Sequence, residues 1–337
     1  MTRGRERARA AVPHLALSIV AAAWLSCCLC AEASAADSAP YPTRPIRLVV
    51  ASTAGGTADT IARLVGDRLE EMLGQPVVIE DRPGASGNIA SEIVARAAPD
   101  GYTLLVMPVT VTILPSTLGA TAVDPVRAFA PITKLMNQPI LIVANPAVGV
   151  NTLAELIARA RREPGRIAYG TSGVATTPHL AGALLWTRAK VEMLHIPYAN
   201  AGQDVKDAVA GEVSVALTFL GRTEPLVRSG QLKALAVTSR SRVAAFPEVP
   251  TVAESGFPGF EMNSWYGLVA PAGTPRAIVD QLHVAITRIL DFPDVHRKLV
   301  AMGTEPAAST PDEFAAEIRD SLQRWPAIVK ATGIRTE

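Results

Sequence analysis

Three stretches of this chain combine glycine with hydroxyl groups where an apolar run gives way to a helical pattern. They read Ser52-Thr53-Ala54-Gly55-Gly56-Thr57-Ala58-Asp59, Gly84-Ala85-Ser86-Gly87-Asn88, and Gly170-Thr171-Ser172-Gly173-Val174-Ala175-Thr176-Thr177. A fourth turn of the same kind is Tyr198-Ala199-Asn200-Ala201-Gly202. A helix start leaves backbone N–H groups without internal partners, and glycine lets a ligand approach them closely, so such turns hold anions. Taken singly, each is also what any helix start requires for capping. None of the four contains lysine or arginine, and none has GK[ST] or GxGxxG spacing. A phosphate would ordinarily recruit a cation, whereas a carboxylate needs less. Charge-assisted hydrogen bonds contribute about 1.5–3 kcal/mol each and a helix N-terminus about 0.3–1 kcal/mol. Four or five such contributions, less the cost of ordering the ligand, reach the roughly −8 kcal/mol of a micromolar site. Asp59 stands in the first helical turn, where the anion would go, and is read as bracing its own loop.

Catalytic patterns are sparse. His179, His195, His283 and His296 form neither HExxH nor a facing i, i+4 pair. Gly170–Val174 approaches a nucleophile elbow but ends in valine, and no motif sets a base beside Ser172. A secreted α/β hydrolase is the enzymatic alternative. His179 falls near a helix start, where it is either a satisfied polar group or a ligand contact. No metal site and no cofactor are expected. The run Arg159-Ala160-Arg161-Arg162 reads as a solvated helix end.

Strands and helices must hold these turns. With 337 residues, 49% of them apolar, the chain can bury a sizeable core, and two lobes fit that length. Lys+Arg 32 against Asp+Glu 31 leaves no global field to gather nucleic acid. The first segment has four arginines, an apolar stretch from about Ala10 to Cys30, and Ala33-Ser34-Ala35 as an A-x-A site. It reads as a cleavable signal peptide over 1–35, with a retained anchor or lipidation at Cys28 as alternatives. All three cysteines lie inside it, so the exported chain would have none.

From residue 46 onward, strands at 46–51, 77–80 and 103–107 alternate with helices at 57–73 and 88–97, the mark of a parallel sheet covered on both faces. A second series has strands at 140–144, 167–170, 193–196, 213–218 and 232–238, with helices at 152–163, 176–188 and 202–210. A strand at 265–270 and helices at 275–290, 294–302 and 311–330 close the chain. This order gives an α/β fold of two lobes, each with a doubly wound sheet. The first lobe takes 36–137 and 249–337, the second takes 138–248, and crossings near 136–138 and 245–251 form a hinge. The turns would then gather at the carboxyl edges of the strands, facing one cleft.

Beyond these patterns, several motifs resemble the solute-binding receptors of tripartite tricarboxylate transporters, the Bug family. They include Tyr41-Pro-x-Arg-Pro-Ile-Arg-Leu-Val-Val, Gly55-Gly56-Thr57-Ala58-Asp59, Asp81-Arg82-Pro83-Gly84-Ala85, Ala98-Pro99-Asp100-Gly101-Tyr102, His195-Ile196-Pro197-Tyr198 and Pro247-x-Val249-Pro250-Thr251. The resemblance implies a two-lobed Venus-flytrap receptor, similar to type II periplasmic binding proteins. It implies a small carboxylated ligand, membrane subunits of a transporter as partner, a monomer, and no nucleic acid or enzymatic activity. A sensor input to a membrane kinase is the alternative role. The binding positions so implied are Ala54, Gly55, Gly56, Thr57, Ala85, Ser86, Ser172, Thr176, Thr177, Tyr198, Ala199, Asn200 and Ala201, with Thr110 after the third strand. Ala199, Ser214 and Thr218 stand where family members often have charged residues, and 107–110 read Met-Pro-Val-Thr. These departures imply a less charged and somewhat more apolar cleft.

Overall fold

A computed structural model describes residues 41–198 and 202–334. The signal segment and the site residues Ala199, Asn200 and Ala201 therefore lie outside the described residues. The described residues from 44 onward gather into one unit, which 41–43 do not join. All strands and helices among the described residues belong to the unit formed by 44–337.

Strands β1 (Ile46–Val50), β2 (Val77–Asp81) and β3 (Thr103–Pro108) alternate with helices α1 (Thr57–Leu73) and α2 (Asn88–Ala95). β1 pairs in parallel with both β2 and β3. β3 is buried at every position, as an unbroken apolar run requires in a sheet covered on both faces. α1 turns Ile61, Leu64, Val65 and Leu69 inward and stops at Gly74, whose φ of 68° a Cβ would strain. Helix α3 (Thr110–Thr117) and the short α4 (Pro125–Ala128) lead into β4 (Phe129–Ala144).

The second series comprises α5 (Leu153–Arg162), β5 (Ala168–Thr171), α6 (Thr177–Ala189), β6 (Leu194–Pro197), α7 (Gln203–Ala210), β7 (Val215–Phe219), α8 (Leu220–Arg228) and β8 (Lys233–Val237). β5 pairs in parallel with β6 and β7. The chain then returns through β9 (Asn263–Pro271), α9 (Arg276–Leu290), α10 (Pro293–Ala301), β10 (Glu305–Pro306) and α11 (Pro311–Thr332). The strand order is β2-β1-β3-β9-β4-β7-β5-β6, with β8 and β10 also on β4.

β4 joins the two series. Phe129 to Pro139 pair with β9, whereas Ile140 to Ala144 pair with β7 and β8. β9 is antiparallel to both β3 and β4, so β3 and β4 run the same way, while β7 runs opposite. The carboxyl end of β3 at Pro108 lies opposite Tyr266, which lies opposite Met136. The carboxyl end of β7 at Phe219 lies opposite Ile140. Both sets of strand ends thus point at one short span of β4, and the loops beyond them face each other.

The C-terminal helix α11 closes the core. Thr310 and Glu313 cap it reciprocally, and the buried Trp325 donates its indole N–H to Thr112 of α3 at 2.8 Å. Phe314 packs edge-on against Trp265, centroids 5.3 Å apart, over a floor where Gly267 leaves room for the ring. Elsewhere two backbones meet directly. A Cβ on Gly221 would lie 2.0 Å from the Met302 carbonyl oxygen, and one on Gly303 would lie 2.2 Å from the Gly221 nitrogen. This contact presses the start of α8 against the segment leading to β10.

Most predicted elements appear with ends shifted by a few residues. Three differences have physical causes. β4 begins at Phe129 and not at residue 140, because Pro131 and Pro139 interrupt its sequence pattern while the strand absorbs Pro131 beside a register shift and Pro139 where its pairing passes from β9 to β7. Helices α3 and α8 escape the sequence reading because each carries an internal proline, Pro115 and Pro225.

Candidate functional site

The first turn, after β1, folds back on its own helix. Asp59, 3% exposed, accepts a hydrogen bond from the Gly55 amide at 2.8 Å and pairs with Arg63 at 2.7 Å. Burial alone would raise its carboxyl, but Arg63 and the Gly55 amide outweigh that and hold it below the usual carboxylate range. Asp59 therefore braces the loop, as the sequence implied. Gly55, at φ 78°, and the neighbouring Ala54 are exposed, while Gly56 and Thr57 are half-buried.

The second turn, after β2, is conformationally unusual. Gly84, Ala85, Ser86 and Gly87 all have positive φ (124°, 45°, 53° and 101°), two of them despite carrying a Cβ. The Ser86 carbonyl accepts the Thr110 hydroxyl at 2.9 Å, tying this turn to the start of α3. Gly87 is wedged among Ala51, Pro108 and Val111, so the turns after β1, β2 and β3 meet at one point.

Two imidazoles hold the third turn, after β5. His179 accepts the Ala175 amide at Nδ1 (3.1 Å), which fixes its proton on Nε2. His195 Nε2 lies 2.8 Å from the Thr171 hydroxyl, which in turn donates to the Gly173 carbonyl at 3.3 Å. The rings stack with centroids 3.7 Å apart. Burial, then the neighbouring His195, pushes His179 down to about 3, and burial pushes His195 down to about 4, so both are neutral. The Thr176 hydroxyl also donates to Gly173, at 2.8 Å. Thr177 is buried, and Ser172 is half-buried. Tyr198 joins the cluster through its amide, bonded to the Thr171 carbonyl at 3.0 Å, while its hydroxyl donates to Asp207 at 2.8 Å.

The two lobes use one device. Asp59 and His179 are both the third residue of their helix, and each accepts the amide of the residue just before the N-cap. The helix starts themselves have no side-chain cap at α1, α2, α3, α6 and α7, unlike α5 and α11, capped by Thr152 and Thr310. α8 starts uncapped as well, at the carboxyl end of β7, and so do α9 and α10; position at the carboxyl edge distinguishes α8 and the first five from the last two.

A cavity of about 340 Å³ opens where the lobes face each other. It brings together Ala85, Ser86 and Thr110 with Ala175 from across the cleft. Ala54 to Thr57, Ser172, Thr176, Thr177 and Tyr198 do not line it. Sequence reasoning missed Ala175 and the apolar wall from α3, namely Ile113, Leu114 and Leu118. The signal for the wall was hidden with α3 itself. A larger hollow of about 560 Å³ lies at the amino end of β8, remote from the strand ends that carry these turns.

Among the described residues no group of acidic, histidine or cysteine side chains is arranged to hold a metal, and no helix is long and apolar enough to cross a membrane.

Comparison with known proteins agrees with this geometry. The family model of the tripartite tricarboxylate transporter family receptor matches residues 61–334. Protein BugT of Bordetella pertussis is 34% identical over 301 residues, covering 88% of this chain and 91% of BugT. The R. palustris protein Rpa4515, solved with adipate, is 34% identical with a TM-score of 0.76, over 88% of this chain and 99% of that one. MatC (Rpa3494) from Rhodopseudomonas palustris, solved with bound malate, is 31% identical with a TM-score of 0.73, over 86% of this chain and 100% of that one. With its two α/β lobes meeting at a cleft of uncapped helix starts, the chain belongs to the tripartite tricarboxylate transporter receptor family.

Proposed function

We propose that this protein is an exported, periplasmic receptor that captures a small carboxylate-bearing metabolite and delivers it to the membrane subunits of a tripartite transporter. The observation that carries this reading is the cavity joining Ser86 and Thr110 of one lobe to Ala175 of the other. Each side approaches it with a helix start that no side chain caps. Amides and hydroxyls there can take a carboxylate without a cation, and such a cradle also releases its cargo readily. The adipate and malate held by two structural neighbours support the ligand class. Lobe 1 would comprise 36–137 and 249–337, and lobe 2 138–248, after removal of 1–35.

The protein acts by binding, without turnover. A hydrolase would need a base at Ser172, whereas the imidazoles of this turn are engaged by the Ala175 amide and the Thr171 hydroxyl. Calorimetry against di- and tricarboxylates, amino acids, and aliphatic and aromatic monoacids is expected to give at least one micromolar binder. Silence across that panel, with folded protein, overturns the reading.

A further inference from the structure

The cleft cavity has two chemically different ends. At one, where α2 and α3 begin, the Thr110 hydroxyl is engaged by the Ser86 carbonyl. The donors left there for an acid are the Ser86 hydroxyl and the uncapped first-turn amides of α3. Beyond them the wall is Ile113, Leu114 and Leu118, the first two almost fully buried, and Ala175 closes the space from the opposite lobe. The Thr117 hydroxyl in this region is already bonded to the Leu114 carbonyl, at 3.3 Å. Among the described residues, none that lines the cavity is charged.

We infer that the ligand is a monocarboxylate with a hydrocarbon tail of roughly six to eight carbons, its acid group at the Ser86–Thr110 end and its tail against Ile113, Leu114 and Leu118. This deepens the receptor reading and rests on it. The size follows from volume: a cavity of about 150 Å³ holds a benzene ring, and this one is about 340 Å³. The charge follows from the wall. A second carboxylate carried to the far end would lose its water and meet no counterion, so diacids of equal length are disfavoured. The expected ligand therefore differs from the diacids with which two neighbours were solved.

Calorimetry with chain-matched pairs tests this: butanoate against succinate, hexanoate against adipate, octanoate against suberate. Affinity is expected to rise about fourfold per methylene along the monoacids. Each longer monoacid should bind at least tenfold more tightly than its diacid. Leu118→Arg supplies a counterion and should bring the diacids up at least tenfold while weakening octanoate. Thr117→Arg serves the same purpose if thermal unfolding shows the first variant misfolded. Diacids binding as tightly as their monoacids would overturn the inference and leave the receptor reading standing. No binding by either series, nor by any other acid in the wider panel, would remove both.

Discussion

At residue scale the site depends on two acceptors that never need to touch a ligand. Asp59 and His179 each hold an amide just outside a helix, and they differ in how they respond to acid. Asp59 is held below its ordinary value, so its brace persists to lower pH than an ordinary carboxylate would allow. His179 and His195 are buried neutral, pushed down to about 3 and about 4. The unfolded chain takes up their protons near pH 6.5, well before the folded one does. Stability is therefore full above about pH 6.5 and falls as pH drops toward 4, by about 1.4 kcal/mol per pH unit for each imidazole. Denaturant unfolding between pH 7 and pH 4.5 should reveal that slope, and His179→Gln should remove about half of it. A flat profile for the unmodified protein would contradict the buried neutral pair. Asp59 was legible as a brace because it lies four residues from its target. The imidazole stack was not, since His179 and His195 meet only once β5 and β6 have paired.

At the scale of elements, clean periodicity was legible and irregular backbone was not. α1 and β3 follow from the spacing of Ile61, Leu64, Val65 and Leu69 and from an unbroken apolar run. The turn at Gly84–Gly87 was legible as glycine-rich. Its four consecutive left-handed residues were not, because Ala85 and Ser86 have no local reason to adopt them. Tertiary contact imposes that path: Gly87 has Val111 at 3.2 Å and Ala51 at 3.3 Å from where its Cβ would stand. Gly87→Ala should therefore cost about 1–3 kcal/mol and disturb the turn that presents Ser86. Ser86→Gly, which relieves a left-handed side chain, should leave stability equal or higher. An unfolding midpoint for Gly87→Ala matching the parent protein would show that the three turns are not wedged together.

For the whole molecule, the meeting of Gly221 with Met302 and Gly303 is a contact of backbone on backbone, with no flexible side chain to give way. Gly221→Ala introduces a methyl 2.0 Å from a carbonyl oxygen, so the two segments must separate. The expected outcome is a ligand-saturated protein with a larger radius of gyration by solution scattering and at least tenfold weaker binding. Unchanged scattering and affinity would mean that the segments adjust locally. This contact could not be read from the sequence, because two glycines about eighty residues apart carry no pattern in common.

The strand β4 sets the manner of any larger motion. Between Met136 and Ile140 it leaves one set of neighbours and takes up another, and Pro139 in that span has no N–H to donate. The halves are thus connected by a torsion bar with a soft spot, not by a slack tether. On the receptor reading proposed above, cargo would be admitted or surrendered by a change in twist at this span, with the rungs on either side kept.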